Sequence, residues 1–176
     1  SFFPSKNLGC FGDGGAVVTN SKDLSDRLRR LRVHGMQPKY EHQEIGINGR
    51  LDSLQAAVLN VKIKYLDSWH EMRCKNASNY DGYFIEAGAI GKSNELLTGG
   101  IPLKIPSRPL SPARHVVNQY VVRVPASLRD PLRDFLHQKN IGCEIYYKIP
   151  LHLQRCFKFM GHSEGAYPHT ENASRE

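Results

Sequence analysis

The sequence predicts a globular α/β protein, on three observations. Two long segments place apolar residues at the three- and four-residue spacing of amphipathic helices. Between residues 116 and 147, a helical segment is flanked by two strand-like segments, the pattern of a small α/β layer. The 176 residues are 40% hydrophobic and 23% charged, which is typical of globular rather than disordered or fibrous proteins. We therefore expect one sizeable core.

The apolar runs and the two ends of the chain carry further expectations. No apolar run approaches the roughly 18 residues that a membrane-spanning helix needs. The first residues lack the basic flank and apolar stretch of a signal peptide, so we expect a cytoplasmic protein with no membrane partner. The sequence starts at Ser1 rather than at a methionine and stops at Glu176 without a turn signal, which predicts a piece of a longer protein. We expect such a piece to aggregate through unpaired strand edges and to have weak or no activity.

Residues 1–35 predict a loop, a strand and a helix, in that order. The glycine-rich loop extends through Gly15, and residues 16–19 have the composition of a short buried strand. Ser21 is a plausible N-cap for the helix that follows, and Gly35 can end it. Arginines near the carboxyl end of this helix complement the negative end of its dipole.

A second and longer helix is predicted from Asp52 to about Phe84. Asp52 stands at its start, and Gln55 three residues later is its capping-box partner. Apolar residues cover a wide arc of this helix, so we expect it to bridge layers or subunits. Gly88 and Gly91 end it.

Residues 87–114 predict a domain boundary region. Eight glycines and prolines interrupt this stretch, and it shows no long apolar periodicity. One short strand is predicted within it, at residues 101–105. The chain is therefore expected to divide into residues 1–86 and residues 87–176.

The last part of the chain predicts a small α/β unit. Strands at residues 116–124 and 143–147 flank a helix at residues 131–139. Asp130 is the predicted N-cap of that helix, and its first helical residue is a proline, which suits this position. Gly142 is the predicted stop.

The charge and the cysteines exclude some classes of site. The formal net charge is +7, and the densest basic cluster lies in the first helix, where it is read as a solvated face of an amphipathic helix. A basic nucleic-acid-binding module is the alternative interpretation, but an anionic small substrate accounts for the same excess of charge. The four cysteines contain no C-x-x-C pair and indicate neither a zinc site nor a disulfide framework. We expect no metal.

Lys6 is the candidate catalytic residue. It stands between bulky apolar residues and a run of glycines. A lysine forms an imine only as the neutral amine, and burial beside apolar groups lowers its pKa. Glycines let the backbone approach a planar cofactor closely. An ordinary surface lysine before a turn is the alternative, because short motifs carry a high false-positive risk.

Three blocks of the sequence resemble one family. Residues 1–20, SFFPSKNLGCFGDGGAVVTN, are similar to the segment around the cofactor lysine of the DegT/DnrJ/StrS nucleotide-sugar aminotransferases. Residues 46–57 resemble the family's G-x-N-x-R-L-D-x-L-Q-A-A block, and residues 146–154 resemble its Y-P-x-P-L-H-x-Q segment. The order and spacing of the three blocks agree across nearly the whole chain.

The resemblance implies a fold, a cofactor and a reaction. The fold is the type I aminotransferase fold, in which residues 1–86 complete the large cofactor-binding domain and residues 87–176 form the small domain. Lys6 would bind pyridoxal 5'-phosphate as a Schiff base and shuttle protons, while glutamate donates the amino group. The acceptor is a keto-sugar nucleotide, used for cell-surface polysaccharide or related sugar biosynthesis. A homodimer with active sites at its interface is implied.

Three further residues are candidates from the same resemblance. Asn48 would reach across the dimer interface to the cofactor phosphate, although a turn-forming asparagine is the alternative. Arg50 would bind a substrate carboxylate or diphosphate, or pair with an acid at the helix start. His152 would lie near the sugar nucleotide, although an isolated loop histidine is more often structural.

The substrate is predicted from smaller features. Asn118-Gln119-Tyr120 and the segment from Tyr146 to Gln154 look most like relatives that aminate 3-keto-hexuronic acids linked to uridine diphosphate, and other keto-sugar nucleotides stay open. Lys148 and Gly49 depart from the family pattern. A lysine rather than a histidine at position 6 argues for aminotransfer over dehydration. A non-catalytic or regulatory member of the same fold is the remaining alternative.

Overall fold

The computed structural model describes residues 1–89, 100–108 and 112–176. The chain divides into two compact units, Ser1–Cys74 and Lys75–Glu176. The change from one unit to the other lies within a long helix, Leu66–Glu86. The domain boundary predicted at the end of that helix stays a prediction.

The first helix, α1, spans Lys22–Leu31 and has the predicted end signals. The Ser21 hydroxyl oxygen caps it by accepting a hydrogen bond from the Leu24 N–H at 3.3 Å. Gly35 follows with a φ of 72°, and its N–H bonds the Arg30 carbonyl at 2.9 Å. A Cβ at position 35 would lie 1.7 Å from the Glu44 carbonyl oxygen, so this turn requires glycine. The predicted N-cap at Ser21 and the predicted helix stop at Gly35 are both confirmed.

The predicted helix of residues 52–84 forms as two helices joined by a 3₁₀ turn. Helix α2 spans Ser53–Lys62, the turn spans Ile63–Tyr65, and α3 spans Leu66–Glu86. Asp52 occupies the N-cap position, but its side chain caps no N–H among the described residues. Gln55 does not fold back onto Asp52, because its side-chain oxygen accepts a hydrogen bond from the distant Phe11 N–H. The capping-box prediction is therefore wrong.

The predicted strands do not form ladders in the described residues. Pairing is limited to isolated antiparallel bridges, one of which joins Lys104 to Arg123. Val17 and Val18, which were predicted to lie in a buried strand, are 70% and 93% exposed. An apolar pattern marks a face that can be buried, whereas a ladder also needs a neighbouring strand to bond its N–H and C=O groups. No segment within the described ranges pairs with residues 16–19.

The helix of the second unit, α4, begins earlier than predicted. It spans Ala126–Gln138 with Pro125 at the N-cap position, so Pro131 lies inside the helix. The carboxylate of Asp130 pairs with Arg129 at 3.0 Å instead of capping the helix start. Because proline has no backbone N–H, the second turn of α4 lacks one hydrogen bond, and the helix continues past it.

The end of α4 is set by Asn140 rather than by the predicted Gly142. Asn140 has a left-handed φ of 57°. Its N–H bonds the His137 carbonyl, and the Ile141 N–H bonds the Leu136 carbonyl, both at 2.9 Å. This is the Schellman arrangement, in which asparagine is the usual substitute for glycine.

The core of the second unit gathers where α3, α4 and the bridged segments meet. Its buried members are Ala89, Leu103, Ile105 and Val124, with Phe84, Val122 and Leu132 packed against them. Beside it, Asp81 pairs with Arg108 and accepts a hydrogen bond from the Tyr120 hydroxyl at 2.7 Å. Burial, helped by this carboxylate, raises the pKa of Tyr120 above its usual range. The unit ends with 3₁₀ turns at Leu151–Leu153 and Arg155–Met160 and a helix, α5, at Pro168–Arg175.

Candidate functional site

Lys6 lies in residues 1–15, here called the lysine loop, which folds back on itself. The Lys6 N–H bonds the Phe3 carbonyl at 2.9 Å. The Cys10 N–H bonds the Phe2 carbonyl and the Phe2 N–H bonds the Gly14 carbonyl, both at 2.7 Å. Cys10 itself is 1% exposed. These bonds close the loop around Cys10 and hold Lys6 in the arc between residues 2 and 10.

Gly9 makes this closure possible. A Cβ built at position 9 would lie 2.6 Å from the Pro4 carbonyl oxygen and 2.8 Å from the Phe3 carbonyl oxygen. Both atoms belong to the backbone, so no side-chain rotation could relieve the contact. Glycine at this position therefore lets the chain pass directly beside the turn that carries Lys6.

The Lys6 side chain is exposed, which differs from the expected burial. The apolar neighbours that predicted burial, Phe3 and Phe11, are themselves 49% and 80% exposed. Neighbours in sequence need not cover a side chain when the loop turns their side chains elsewhere. The amine of Lys6 is thus accessible to a ligand rather than enclosed by the described residues of its own unit.

Helix α2 and Leu51, the residue before its N-cap, contact the lysine loop at three points. The Gln55 Oε1 atom accepts a hydrogen bond from the Phe11 N–H at 2.8 Å. The Lys62 ammonium group donates to the Gly9 carbonyl oxygen. A Cβ at Gly14 would lie 3.1 Å from the Leu51 Cδ1 atom, so Leu51 packs against that glycine. Sequence reasoning missed Gln55 and Lys62 in this role, because each bond joins residues more than forty positions apart.

Asn48 and Arg50 lie together before α2, as the sequence block predicts. The Asn48 Oδ1 atom accepts a hydrogen bond from the Arg50 Nε at 3.2 Å, and both residues are exposed. The backbone around them bonds the end of α1: the Gly49 N–H bonds the Arg32 carbonyl at 2.9 Å. Besides the shared bond, Asn48 keeps its Nδ2 donors and Arg50 keeps its outer guanidinium donors, and both side chains are exposed. This pair can bind an anion.

Glu44 connects the residues just before Asn48 to α1. Its carboxylate contacts Arg27 at 3.0 Å and Arg30 at 3.2 Å, so it ties residues 42–49 to α1. The hydrogen bond from the Arg27 guanidinium holds the pKa of the Glu44 carboxyl below its usual range. Two of the arginines that suggested a basic patch are therefore neutralised within the chain.

His152 belongs to the second unit, and most of its side chain is covered. Its Nε2 atom lies 3.1 Å from a Glu171 carboxylate oxygen, and its ring meets the Tyr167 ring edge-on at 4.8 Å between centroids. The side chains of His152 and Glu171 are only 9% and 4% exposed. The Gly165 N–H, bonded to both Glu171 oxygens at 2.9 Å, is the main cause that lowers the pKa of that carboxyl. The predicted role of His152 in substrate binding stays a prediction.

An apolar cavity of about 610 Å³ lies beside the segment that contains His152. Its lining includes Tyr146, Tyr147, Pro150, Leu151 and Gln154 rather than His152.

In the described parts of the chain, no group of three or more His, Cys, Asp or Glu side chains is placed to hold a metal ion. Nor does any described helix have the length and apolar character required to cross a membrane.

Comparison with known proteins decides the family. Residues 1–176 match the DegT/DnrJ/EryC1/StrS aminotransferase family. The chain belongs to this family. Among curated relatives, it is 42% identical over 176 residues to a "Pleiotropic regulatory protein" of Geobacillus stearothermophilus and covers 44% of that protein. It is 39% identical over 176 residues to the dTDP-3-amino-3,4,6-trideoxy-alpha-D-glucose transaminase of Streptomyces venezuelae, covering 42% of it. It is 36% identical over 154 residues, or 88% of this chain, to the UDP-2-acetamido-2-deoxy-3-oxo-D-glucuronate aminotransferase of Pseudomonas aeruginosa, covering 38% of it.

A solved structure shows the same fold. The chain aligns with DesV of S. venezuelae, determined in complex with a ketimine intermediate, at a TM-score of 0.81 and 36% identity. The alignment covers 99% of this chain and 43% of DesV. The predicted fold, that of the type I aminotransferases, is confirmed. The chain spans less than half the length of the relatives that it matches.

Pyridoxal phosphate is the cofactor of this family, and the described residues fit it. Lys6 offers an accessible amine on a loop whose glycines allow close approach by a planar group. Asn48 and Arg50 offer exposed N–H donors of the kind that bind phosphate or carboxylate. These residues therefore suit two parts of the cofactor, the aldehyde that reacts with a lysine and the anionic phosphate.

Proposed function

We propose that the protein transfers the amino group of glutamate to a keto-sugar nucleotide, with Lys6 as the cofactor lysine. The observation that carries the proposal is the lysine loop, which presents the Lys6 amine on a closed backbone in a chain of this aminotransferase family. The sequence around Lys6 supports the same role. Residues 1–86 and 87–176 would be parts of the large and small domains.

Lys6 would carry the proton transfers. When bound, pyridoxal phosphate supplies the electron sink that stabilises negative charge on the reacting carbon. The Nζ atom of Lys6 takes the proton from the amino-bearing carbon of glutamate and, in the second half of the reaction, delivers a proton to the former keto carbon of the sugar. The exposure of Lys6 allows both substrates to reach this atom in turn.

Asn48 and Arg50 would hold the anionic groups. The amide of Asn48 donates from Nδ2 to the cofactor phosphate of a second subunit, so activity requires a homodimer. Arg50 holds Asn48 in the required orientation through its Nε atom and offers its remaining N–H groups to a substrate carboxylate or diphosphate. His152 would act near the sugar nucleotide from its buried position against Glu171.

The proposed acceptor is a 3-keto-sugar nucleotide, and we favour a 3-keto-hexuronic acid linked to uridine diphosphate. The names of both transaminase relatives place the amino or oxo group at carbon 3 of the sugar. Asn118-Gln119-Tyr120 and the segment from Tyr146 to Gln154 favour the acceptor linked to uridine diphosphate. The choice of a uronic acid rests on Arg50, whose exposed guanidinium can bind a carboxylate in two-point fashion.

Turnover by the protein encoded by the complete gene tests the proposal. The protein would be incubated with pyridoxal phosphate, glutamate and matched 3-keto sugars, uronic and neutral, on either nucleotide, and 2-oxoglutarate and amino sugar would be measured. We expect both products in equal amounts, and their loss in Lys6→Ala and in the charge-matched control Lys6→Arg. No 2-oxoglutarate with any of these acceptors would count against the reaction.

Regulation without catalysis is the second candidate, since one relative at 42% identity is named a pleiotropic regulatory protein. A regulator of this fold would bind the cofactor or the sugar nucleotide without turning over glutamate. A nucleic-acid-binding module is less well supported, because Arg27 and Arg30 pair with Glu44. It predicts salt-dependent binding to any duplex.

A further inference from the structure

We infer that Gln55 and Lys62 of α2 are positioning residues that set where the Lys6 amine stands, an inference that rests on the proposed role of Lys6. Gln55 accepts a hydrogen bond from the Phe11 N–H at 2.8 Å, and Lys62 donates one to the Gly9 carbonyl oxygen. The two residues are seven positions apart, which is about two helical turns, so their side chains leave the same face of α2. They bond the loop on either side of Cys10.

These two bonds place the loop, whereas other bonds shape it. The Phe2–Gly14, Cys10–Phe2 and Lys6–Phe3 backbone bonds all lie within residues 1–15 and fix the loop's internal form. These internal bonds do not determine the position of the loop relative to the rest of the first unit. Gln55 and Lys62 bond main-chain groups of the loop from an element outside it, so they restrain its position. Both bonded groups, at residues 9 and 11, lie within five positions of Lys6.

The sequence leaves room for the Gln55 contact. A Cβ at position 12 would lie 3.1 Å from the Gln55 Nε2 atom, which is closer than ordinary van der Waals contact. Glycine at position 12 therefore allows the amide to lie flat against the loop. Asn48 and Arg50 lie a few residues before α2, so the candidate anion donors precede the same helix whose face restrains the lysine loop. The geometry thus links the two sequence blocks that sequence reasoning treated separately.

The burial of Cys10 supplies a readout that does not depend on catalysis. Cys10 is 1% exposed between the two restraint points, whereas Cys156 is exposed. In the full-length protein, a thiol reagent should label Cys156 quickly and Cys10 only when the loop lifts from α2. Peptide mass spectrometry then measures the two rates in one sample. Far-UV circular dichroism of the same samples reports any general unfolding.

The variants remove or keep the hydrogen-bonding atom at each point. Gln55→Leu removes the acceptor at similar volume, and Gln55→Glu keeps an acceptor oxygen there. Lys62→Met removes the donor, and Lys62→Arg keeps one. We expect Cys10 labelling to rise about fivefold or more in the Leu and Met variants, in line with the loss of one restraint, and to return to within about twofold of wild type in the Glu and Arg variants.

Steady-state kinetics separates positioning from general support. We expect kcat to fall about tenfold in Gln55→Leu and Lys62→Met with the KM for the sugar nucleotide within about twofold, because a misplaced proton carrier slows the chemical step. The Glu and Arg variants should recover most of the rate. If Gln55→Leu unfolds, which circular dichroism would show, Gly12→Ala tests the same contact more mildly, because it only crowds the Gln55 amide.

The outcomes separate this inference from the proposed function. Equal Cys10 labelling in wild type, Gln55→Leu and Lys62→Met would overturn the positioning role, whatever the enzyme does. Faster Cys10 labelling with an unchanged kcat would also overturn it, since the loop would then be held without consequence for Lys6. A wild-type protein with no turnover would refute the proposed function, while the labelling rates would still decide whether α2 restrains the loop.

Discussion

Replacing Gly9 by alanine perturbs the lysine loop at its most crowded backbone contact. The new Cβ would lie 2.6 Å from the Pro4 carbonyl oxygen and 2.8 Å from the Phe3 carbonyl oxygen. Ordinary van der Waals contact begins near 3.4 Å, so the turn that carries Lys6 must move by several tenths of an ångström. Gly15→Ala is a matched control in the same glycine run, because its Cβ meets no described atom within 4 Å.

The cost of this crowding follows from the behaviour of overpacked sites. Inserting a methyl group into a packed site typically costs about 1–3 kcal/mol. Because each 1.4 kcal/mol is a factor of ten in an equilibrium constant, the loop should open about 5- to 150-fold more often. Gly15→Ala should leave the opening equilibrium within about twofold or lower it slightly, because alanine restricts the unfolded chain more than glycine does.

Amide hydrogen exchange measures the opening directly. Peptides that cover residues 1–15 contain the protected N–H groups of Phe2 and Cys10, which bond backbone carbonyls at 2.7 Å. We expect these amides to exchange about 5- to 150-fold faster in Gly9→Ala, with peptides from α4 unchanged. Equal exchange in Gly9→Ala, Gly15→Ala and wild type would refute the reasoning that glycine is required for closure.

Three further predictions concern other parts of the chain. Arg50→Met should raise the KM for a 3-keto uronic acid about 10- to 100-fold, as expected for the loss of a charged hydrogen bond, and should leave the KM for the matching neutral sugar nearly unchanged; equal effects on both would contradict carboxylate binding. Because the pKa of Glu171 is lowered on folding, its carboxylate stabilises the second unit at pH values above the unfolded-state pKa of about 4.3, and this contribution is lost as pH falls through the lower folded-state pKa. In thermal scans between pH 3 and 7, the Tm of Glu171→Gln should therefore fall less steeply towards acid pH than the Tm of wild type. Asn140→Ala should cost about 1 kcal/mol in urea unfolding while Asn140→Gly costs nothing, because Asn140 has a φ of 57°; the reverse order would contradict the assigned helix end.

Local signals allowed part of the fold to be predicted. The start of α1 at Ser21 and the turn at Gly35 depend on side chains and backbone angles within a few residues, so the sequence pattern determines them. The predicted strand at residues 16–19 depends on a partner that the described residues do not provide. The start of α4 was misplaced because Asp130 and Pro131 form a strong local signal that lies within a longer helix.

The sequence motifs predict Lys6, Asn48 and Arg50 as site residues, and these roles stay predictions. The structure adds a contact that the motifs did not predict, the hydrogen bond between Asn48 and Arg50. The burial expected for Lys6 is absent from the described chain, where its aromatic neighbours Phe3 and Phe11 are themselves exposed. The pairing of His152 with Glu171 and that of Gln55 with Phe11 join residues 19 and 44 positions apart, so neither local periodicity nor capping rules could reveal them.

Covalent mapping of the cofactor lysine tests the central claim most directly. The protein encoded by the complete gene would be incubated with pyridoxal phosphate, reduced with borohydride, digested and analysed by peptide mass spectrometry. Our account predicts one pyridoxyl adduct, on Lys6, which disappears in Lys6→Ala and persists in Lys62→Met. The absence of an adduct on Lys6, or labelling spread over surface lysines, would contradict the account.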